Sequence, residues 1–295
     1  MIRLLRVETD ADLEAWRQVR ITVLPNERTG SIEELRRGET PERLFLLAEL
    51  DGEVVGSGYA NRSDQAGIGS LGPRVLPEAR RRGVGTALLE ALARHLADLG
   101  YAEANSLVDD VGALAFAERF GFREVDRQVE QVRAIGREEP PRTPEGVELV
   151  RIAERPELST AVYRDLAVQA LADIPVTPPL AISLEDWERE WVTLPEGSFV
   201  AFADGEIVGC AGLMRDPDRP DRAEHGLTAV RRDWRGRGLA RALKQATIAW
   251  AAENGIGELY TWTQRGNENM QRVNERLGYV VRSSCISVRG PVPLT

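Results

Sequence analysis

The amino-acid sequence repeats itself, and this repeat limits the possible folds more than any other feature. Four segments of the first half return in the same order in the second half: IRLLRV (2–7) as VELVRI (147–152), DGEVVG (51–56) as DGEIVG (204–209), RRRGVG (80–85) as RGRGLA (235–240) and ERFGF (118–122) as ERLGY (275–279). The chain has 295 residues, about twice the length of a typical domain. We therefore predict two related domains in tandem.

A proline-rich segment, GREEPPRTPEG (136–146), separates the two copies and shows no apolar periodicity. It predicts a first domain over residues 1–138, a linker over 139–146 and a second domain over 147–295. The second copy is the longer one, and its largest insertion lies between 152 and 204.

Charge and composition exclude several classes of protein. A net charge of −9 makes nucleic acid a poor partner, and no apolar run approaches the roughly 18 residues of a membrane span. Acidic residues within the first 14 positions argue against a secretory signal, so we expect a cytoplasmic protein with no membrane partner. Two cysteines without a C-x-x-C pair and two histidines predict no metal site.

The basic residues point to anion binding. All are arginines except Lys244, and they bunch at 80–82 and 231–237. In each copy a strand ending at Val75 or Val230 precedes such a cluster. A helix follows, with an apolar stripe at three- and four-residue spacing: Leu88, Leu92, Leu96 and Leu99, or Leu239, Leu243, Ala246 and Trp250.

The turn before each helix has the pattern R-x-x-G-x-G/A: Arg80, Gly83 and Gly85 in the first copy, and Arg235, Gly238 and Ala240 in the second. Glycine lets the backbone approach a ligand closely, and the free N–H groups that open a helix attract phosphate. One such turn would be a plain helix start, but two at matching places favour two phosphate sites. The strands and alternating helices predict an α/β (α+β) fold for each copy.

These motifs resemble the GNAT superfamily of acetyl-CoA-dependent N-acetyltransferases, and nearly the whole chain is similar to a tandem member of the mycothiol-synthase type. The resemblance implies two domains, each with a mixed, mostly antiparallel sheet flanked by helices. It also implies acetyl-CoA as cofactor, with its pyrophosphate on the turn and its pantetheine arm on the preceding strand. The implied second-copy residues are Thr228, Ala229, Val230, Arg235, Gly236, Arg237, Gly238, Leu239, Ala240 and Asn267. The matching first-copy set is Val75, Arg80, Arg81, Arg82, Gly83, Val84 and Gly85.

The resemblance also implies catalytic residues. A frequent general base in this family is a glutamate fourteen residues ahead of the glycine that matches Gly238, and that residue is Glu224. Strand alternation would place Glu224, Thr228 and Val230 on one face and His225 on the other. His225 is the second candidate base, and a solvated surface charge is the other interpretation of Glu224.

The implied general acid departs from the family pattern. Many members have a tyrosine four residues before the closing glycine, where this chain has Asn274. We expect Asn274 to hydrogen-bond near the CoA sulfur, and Tyr260 and Tyr279 to be core aromatics. For Asn267 a plain helix cap is the alternative to a cofactor contact.

The insertion of the second copy lies where the family builds its acceptor pocket. It carries Trp187 and Trp191 one helical turn apart, together with the acids Asp173, Glu185, Asp186, Glu188 and Glu190. An acidic, aromatic wall would suit a cationic amine. The alternative is a surface helix whose tryptophans pack into the core.

The resulting hypothesis is an N-acetyltransferase acting on a primary amine of a small molecule or peptide, as a monomer or homodimer. The alternative is a CoA-binding regulatory or structural protein without turnover. In the first copy the same residue counts reach Gly69 for the base and Ala117 for the acid. We therefore expect the first domain to be non-catalytic.

Overall fold

The structure is a computed structural model that describes residues 1–294, with the backbone alone described at Glu190. Its contacts divide the chain into two compact units. The N-terminal unit comprises Met1–Arg127 and Cys285–Thr295, and the C-terminal unit comprises Gln128–Ser284. Over the described residues, no helix combines the length and the apolar character that crossing a bilayer requires.

The N-terminal unit is a mixed sheet flanked by helices. Its strands follow the order β1-β2-β3-β4-β5-β12, and all neighbours are antiparallel except β4 and β5. The elements are β1 (Ile2–Arg6), α1 (Asp10–Val23), α2 (Ile32–Arg37), β2 (Leu44–Leu50), β3 (Glu53–Arg62), β4 (Gly69–Val75), α3 (Val84–Asp98), β5 (Glu103–Val108), α4 (Val111–Glu118), the start of β6 (Arg123–Ala134) and the end of β12 (Val280–Pro291).

The C-terminal unit repeats this plan. Its strands follow the order β6-β11-β10-β9-β8-β7, and again one neighbouring pair, β10 and β11, is parallel. The further elements are β7 (Val147–Arg151), α5 (Leu158–Val162), α6 (Val168–Ala172), α7 (Leu184–Glu190), β8 (Phe199–Ala203), β9 (Glu206–Arg215), β10 (Arg222–Val230), α8 (Leu239–Glu253), β11 (Glu258–Gln264) and α9 (Glu268–Arg276). A π-helical segment, Tyr163–Ala167, joins α5 to α6. The predicted α/β class with mixed, mostly antiparallel sheets is confirmed.

Local sequence signals account for the hairpins and the two long helices. Asp51-Gly52 and Asp204-Gly205 both adopt positive φ, as the tight turn between two hairpin strands requires. The apolar stripe of α3 is buried as predicted, except that Leu99 is wrongly included: α3 ends at Asp98, and Leu99 is 39% exposed.

The compact units do not follow the sequence repeat, because the two copies exchange their last strands. Strand β6 ends the first copy, yet its residues Gln128–Ala134 pair with β11 of the second copy. Strand β12 ends the second copy, yet its residues Ile286–Pro291 pair with β5 of the first. The division at 139–146 therefore stays a prediction about the repeat, while the units change at 127/128 and 284/285.

A buried cluster of charges holds the exchanged part of β6 in the C-terminal unit. The guanidinium of Arg222 lies 3.2 Å from the Glu130 carboxylate and 2.8 Å from that of Glu258. Arg282 pairs with the same two carboxylates, and Ser283 donates to Glu130 at 2.7 Å. Arg222 and Glu130 are fully buried, so loss of either partner would leave an uncompensated charge, which typically costs about 3–5 kcal/mol.

The strand exchange predicts which fragments fold. Residues 147–295 lack β6, the antiparallel neighbour of β11, and they contain β12, which pairs with β5 of the other unit. We expect this fragment to show no cooperative unfolding transition in urea, whereas residues 128–284, which contain every strand of the C-terminal unit, unfold cooperatively. Circular dichroism on both fragments makes the comparison, and equal cooperativity would contradict it.

Candidate active site

The turn between β10 and α8 leaves the start of the helix open. Gly236 and Gly238 adopt φ of 77° and 81°, and a Cβ atom at either position would meet no atom within 4 Å. Gly238 is the N-cap and supplies no side-chain hydrogen bond to the first turn of α8. No side chain caps the N–H groups that open α8, and an anion is favoured at such a helix start.

Arginines surround this open helix start. Arg235 donates from Nε to the Val230 carbonyl at 3.1 Å, and the corresponding Arg80 donates in the same way to Val75 at 3.2 Å. Arg232 and Arg235 both bind the carboxylate of Asp173, which lowers the pKa of Asp173 to about 2. The two guanidinium groups thus already hold an anionic group, and a bound phosphate would compete with Asp173 for them.

The N-terminal unit has the same turn with one difference. Gly83 starts α3 at a φ of 87°, as Gly238 starts α8. Arg81, which matches Gly236, adopts a φ of 64°, a conformation that costs roughly 1 kcal/mol in a residue with a Cβ. Val84 is buried, and Gly85 lies against Phe116 and Val75.

The two parallel strands beside each turn separate along their length. β10 pairs with β11 from Arg222 to Glu224, opposite Glu258 to Tyr260, and the pairing ends there although both strands continue. Beyond it, β10 remains paired with β9 through Val230. A gap therefore opens in the sheet, which we call the strand split.

Backbone groups of β10 line the strand split. The Arg231 N–H donates to Val208 of β9, so alternation turns the N–H and carbonyl groups of Thr228 and the N–H of Val230 the other way, towards the split. The Val230 carbonyl accepts from Arg235. An extended chain with amide groups can pair with this free edge. Ala229, the third residue assigned to the arm, bonds towards β9 instead.

A β-bulge makes the predicted strand alternation wrong. The register with β9 shifts between His225 and Thr228, where Gly226 and Leu227 together oppose Gly212. A Cβ at Gly226 would meet the Trp191 carbonyl of α7, and Leu227 packs against the same helical layer. Two successive residues therefore face one side. As a result, Glu224 faces the α5–α7 side, while Thr228 and Val230 share the α8 side with His225.

Glu224 lies at the last paired position before the strand split. It is half-buried, and Tyr260 of β11 donates a hydrogen bond from its hydroxyl to Glu224 Oε2 at 2.9 Å. Burial, and then the negative charge of Glu224, raise the pKa of Tyr260, so this hydroxyl keeps its proton. The predicted core position of Tyr260 is confirmed, and the structure adds that Tyr260 orients Glu224.

Unpartnered polar atoms border the strand split on the α8 side. His225 Nδ1, Thr228 Oγ1, Thr263 Oγ1 and Asn274 Oδ1 are buried without a hydrogen-bond partner among the residues that the structure describes. They come from β10, β11 and α9, the elements that flank the gap. Buried polar atoms are rarely left unpaired in native proteins, so bound water or a polar ligand would satisfy these four.

Asn274 is held by the exchanged strand. Its Nδ2 donates to Gln131 Oε1 of β6 at 2.9 Å, and both side chains are fully buried. Asn267 occupies the N-cap position of α9 without a side-chain capping bond, and Glu268 instead accepts from the Gly266 N–H at 3.0 Å. The capping alternative thus has no hydrogen bond to support it.

Most acids of the insertion already have partners. Arg189 pairs with Glu185 and Asp186, Thr160 donates to Glu188, and Asp173 binds the two arginines of the turn. Trp187 is 1% exposed and donates from its indole to the Ser159 carbonyl, as the alternative of a core-anchored helix predicts. The side chain of Glu190 lies outside the described residues.

Sequence reasoning missed a buried lysine next to the strand split. Lys244 of α8 is 1% exposed and lies 5.5 Å from the Tyr279 ring centre. Burial lowers its pKa from 10.5 to about 7. Tyr279 in turn bonds His225 Nε2 at 2.6 Å. The available signal was composition, since Lys244 is the only lysine among 38 basic residues.

Lys244 predicts a pH-dependent stability. The unfolded chain binds more protons than the folded chain between about pH 7 and 10.5, so stability should rise across this window. Lys244→Met should raise the free energy of unfolding below pH 7 by about 3–5 kcal/mol and abolish the rise. Urea unfolding from pH 6 to 10 tests this, with the exposed Arg241→Met as control. An unchanged pH profile in Lys244→Met would contradict it.

Comparison with known proteins agrees with this geometry. Residues 10–122 and 161–279 each match the Acetyltransferase (GNAT) family model. A mycothiol acetyltransferase of Propionibacterium freudenreichii is 27% identical over 84% of this chain and 78% of its own length. An aminoglycoside N(6')-acetyltransferase type 1 of Stenotrophomonas maltophilia is 34% identical over 42% of this chain and 89% of its own length.

Solved structures show the same fold in tandem. A GCN5-related N-acetyltransferase from Sphaerobacter thermophilus superimposes with a TM-score of 0.75 at 21% identity, covering 100% of this chain and 97% of its own. A tandem GNAT protein from the clavulanic acid biosynthesis pathway reaches 0.74 at 17% identity, covering 100% of both chains. Because the two family-model matches span most of the chain, it belongs to the GNAT acetyltransferase family, whose fold it contains twice.

Proposed function

We propose that the C-terminal unit transfers an acetyl group from acetyl-CoA to a primary amine of a small-molecule or peptide acceptor. The observation that carries this proposal is the strand split beside the open start of α8, bordered by four unpartnered polar atoms. These features fit the cofactor: helix N–H groups for the pyrophosphate, and the edge of β10 at Thr228 and Val230 for the pantetheine amides. Bound acetyl-CoA supplies the activated acetyl group.

The arginines of the turn and Asn267 complete the cofactor site. Arg235 and Arg237 alternate with Gly236 and Gly238 along the turn, and the Arg237 guanidinium lies 4.7 Å from the Trp234 ring centre. The small side chain of Ala240 and the buried Leu239 keep the first turn of α8 unobstructed. Release of Asp173 would free Arg232 and Arg235 for phosphate oxygens.

Glu224 is the proposed general base. It lies where β10 and β11 part, and it faces the α5–α7 side, so an amine approaching from that side meets its carboxylate. Tyr260 fixes the orientation of Glu224 through the 2.9 Å hydrogen bond. Asn274 has no titratable proton, and its amide nitrogen donates one hydrogen bond to Gln131, so we assign its open Oδ1 the role of an acceptor beside the sulfur rather than that of an acid.

The N-terminal unit is proposed to be non-catalytic. Neither Gly69 nor the preceding Ile68 offers a carboxylate at the end of the β4–β5 pairing, and Ala117 stands at the acid position. If the protein acetylates no amine, the alternative function for the C-terminal unit is CoA binding without turnover. Relatives are named for mycothiol and for an aminoglycoside, which favours a small-molecule amine as the first acceptor class to test.

The side chains of β4 also fill the cofactor gap of the N-terminal unit. β4 pairs with β5 at Gly69 and Ser70, and beyond them Arg74 reaches across to donate to the Leu107 carbonyl of β5 at 3.2 Å. Pro73, which matches Thr228, has no N–H to offer a ligand. We infer that the N-terminal unit, although its turn is intact, cannot bind the pantetheine arm of CoA along β4.

Glu224→Gln tests the base. The amide can still accept the Tyr260 hydroxyl but cannot take a proton, so kcat should fall by about 10²–10⁴ while the Kd for CoA stays unchanged. Thiol release from acetyl-CoA is followed with a panel of amines that includes aminoglycosides and peptides. The exposed Glu188→Gln serves as a matched control. Full activity of Glu224→Gln would remove this role.

Gly238→Glu and Gly83→Glu test whether only the C-terminal unit binds CoA. Both glycines are N-caps at positive φ, so the two substitutions strain the backbone alike. Calorimetry should find about one CoA per chain in the wild type and in Gly83→Glu, and none in Gly238→Glu. Two sites per chain, or loss of binding in Gly83→Glu alone, would contradict the proposal.

A further inference from the structure

His225 follows Glu224 on β10 at the edge of the strand split, and its side chain lies on the opposite face of the sheet. Glu224 is the last residue of β10 that pairs with β11, and His225 is the first beyond it. Their side chains point to opposite faces of the strand, with Glu224 towards α5–α7 and His225 towards α8. A thioester held in the split, as the proposed function requires, would therefore have a carboxylate on one side and an imidazole on the other.

Tyr279 is the hydrogen-bond partner of one imidazole nitrogen of His225. The Tyr279 oxygen lies 2.6 Å from His225 Nε2, and burial raises the pKa of Tyr279, so its hydroxyl stays protonated and can donate. Lys244 Nζ lies 5.5 Å from the centre of the Tyr279 ring. When the Tyr279 hydroxyl donates, Nε2 is the acceptor and the hydrogen of the neutral imidazole is on Nδ1. Nδ1 is buried without a partner among the described residues.

The surroundings keep this imidazole uncharged. Burial and the positive charge of Lys244 hold the pKa of His225 well below its usual range. The charged groups that face the cluster are Lys244 from α8 and, beyond Tyr279, the ion pair of Arg133 and Glu138. Neutral histidine cannot serve as the proton source for the leaving group, but it can donate a hydrogen bond.

We propose that His225 donates a hydrogen bond from Nδ1–H to the thioester on the α8 side of the strand split, with Tyr279 and Lys244 as positioning residues. The amine nitrogen attacks the carbonyl carbon, Glu224 takes the amine proton, and the carbon–sulfur bond breaks with its electron pair on sulfur. Negative charge develops on the carbonyl oxygen and then on sulfur, where the Nδ1–H bond stabilises it. The thiolate takes its proton from water, and Glu224 returns its own to solvent.

Two substitutions separate the two nitrogens of His225. The amide of asparagine stands one atom beyond Cγ, as Nδ1 does, whereas the amide of glutamine reaches the level of Nε2. His225→Asn should keep kcat within about tenfold of the wild type, and His225→Gln should lower it by about 10²–10³, the usual cost of one such donor. Calorimetry should find the same Kd for CoA in both variants. Full kcat in His225→Gln would overturn the proposal.

Nuclear magnetic resonance of the intact chain tests the tautomer without an acceptor. The chain has two histidines, so ¹⁵N-histidine labelling gives two imidazoles, and His95→Gln assigns them. His225 should remain neutral from pH 5 to 8 with its proton on Nδ1, and acetyl-CoA should shift that resonance. A proton on Nε2, an imidazolium at pH 6, or no shift on saturation with acetyl-CoA would overturn the inference while leaving the proposed function standing. Absence of acetyl-CoA binding in calorimetry would overturn both.

Discussion

The parallel pairing of β10 with β11 stops at Glu224 and Tyr260, and the rest of the site depends on where it stops. Arg222, buried against Glu130 and Glu258, holds the paired end of the two strands together. The bulge at Gly226 and Leu227 then redirects β10, so that its next backbone groups and side chains meet a gap instead of a neighbouring strand. The residues that we propose as base, hydrogen-bond donor and cofactor edge thereby lie around one opening.

The two units share the same arrangement of strands, turn and helix but differ in the residues at the strand split. Both have a parallel strand pair that separates, a turn with positive-φ glycine and a helix that begins there. In the N-terminal unit Arg74 spans the gap to the Leu107 carbonyl, and Pro73 has no N–H to offer a ligand there. In the C-terminal unit the matching residues are Ala229 and Thr228, and the polar atoms of the split are left open. The exchanged strands make each copy of the repeat contribute to the other's sheet.

Local signals in the sequence predicted much of this fold. The Asp-Gly turns, the arginine-glycine turns and the apolar stripes of α3 and α8 are set by neighbours along the chain. The bulge could not be predicted, because the residue types of β10 still follow the alternating pattern of a regular strand. The extra residue at Gly226 changes only the face of the sheet to which the later side chains point. The strand exchange could not be predicted either, since the sequence of β6 is equally suited to pair with a strand of either copy of the repeat. The choice depends on Glu130 meeting Arg222 and Gln131 meeting Asn274 across 92 and 143 residues of sequence. Lys244 looked like one polar residue in a helix, and only packing shows that it is buried.

In the proposed complex, CoA lies in the strand split of the C-terminal unit and pairs with the edge of β10. Hydrogen–deuterium exchange on the intact chain, with and without saturating acetyl-CoA, measures this directly at the amides of Thr228 and Val230. We expect these amides and those opening α8 to gain protection on binding, while residues 71–75 of β4 do not change. Protection of residues 71–75, or binding without protection of Thr228 and Val230, would contradict it.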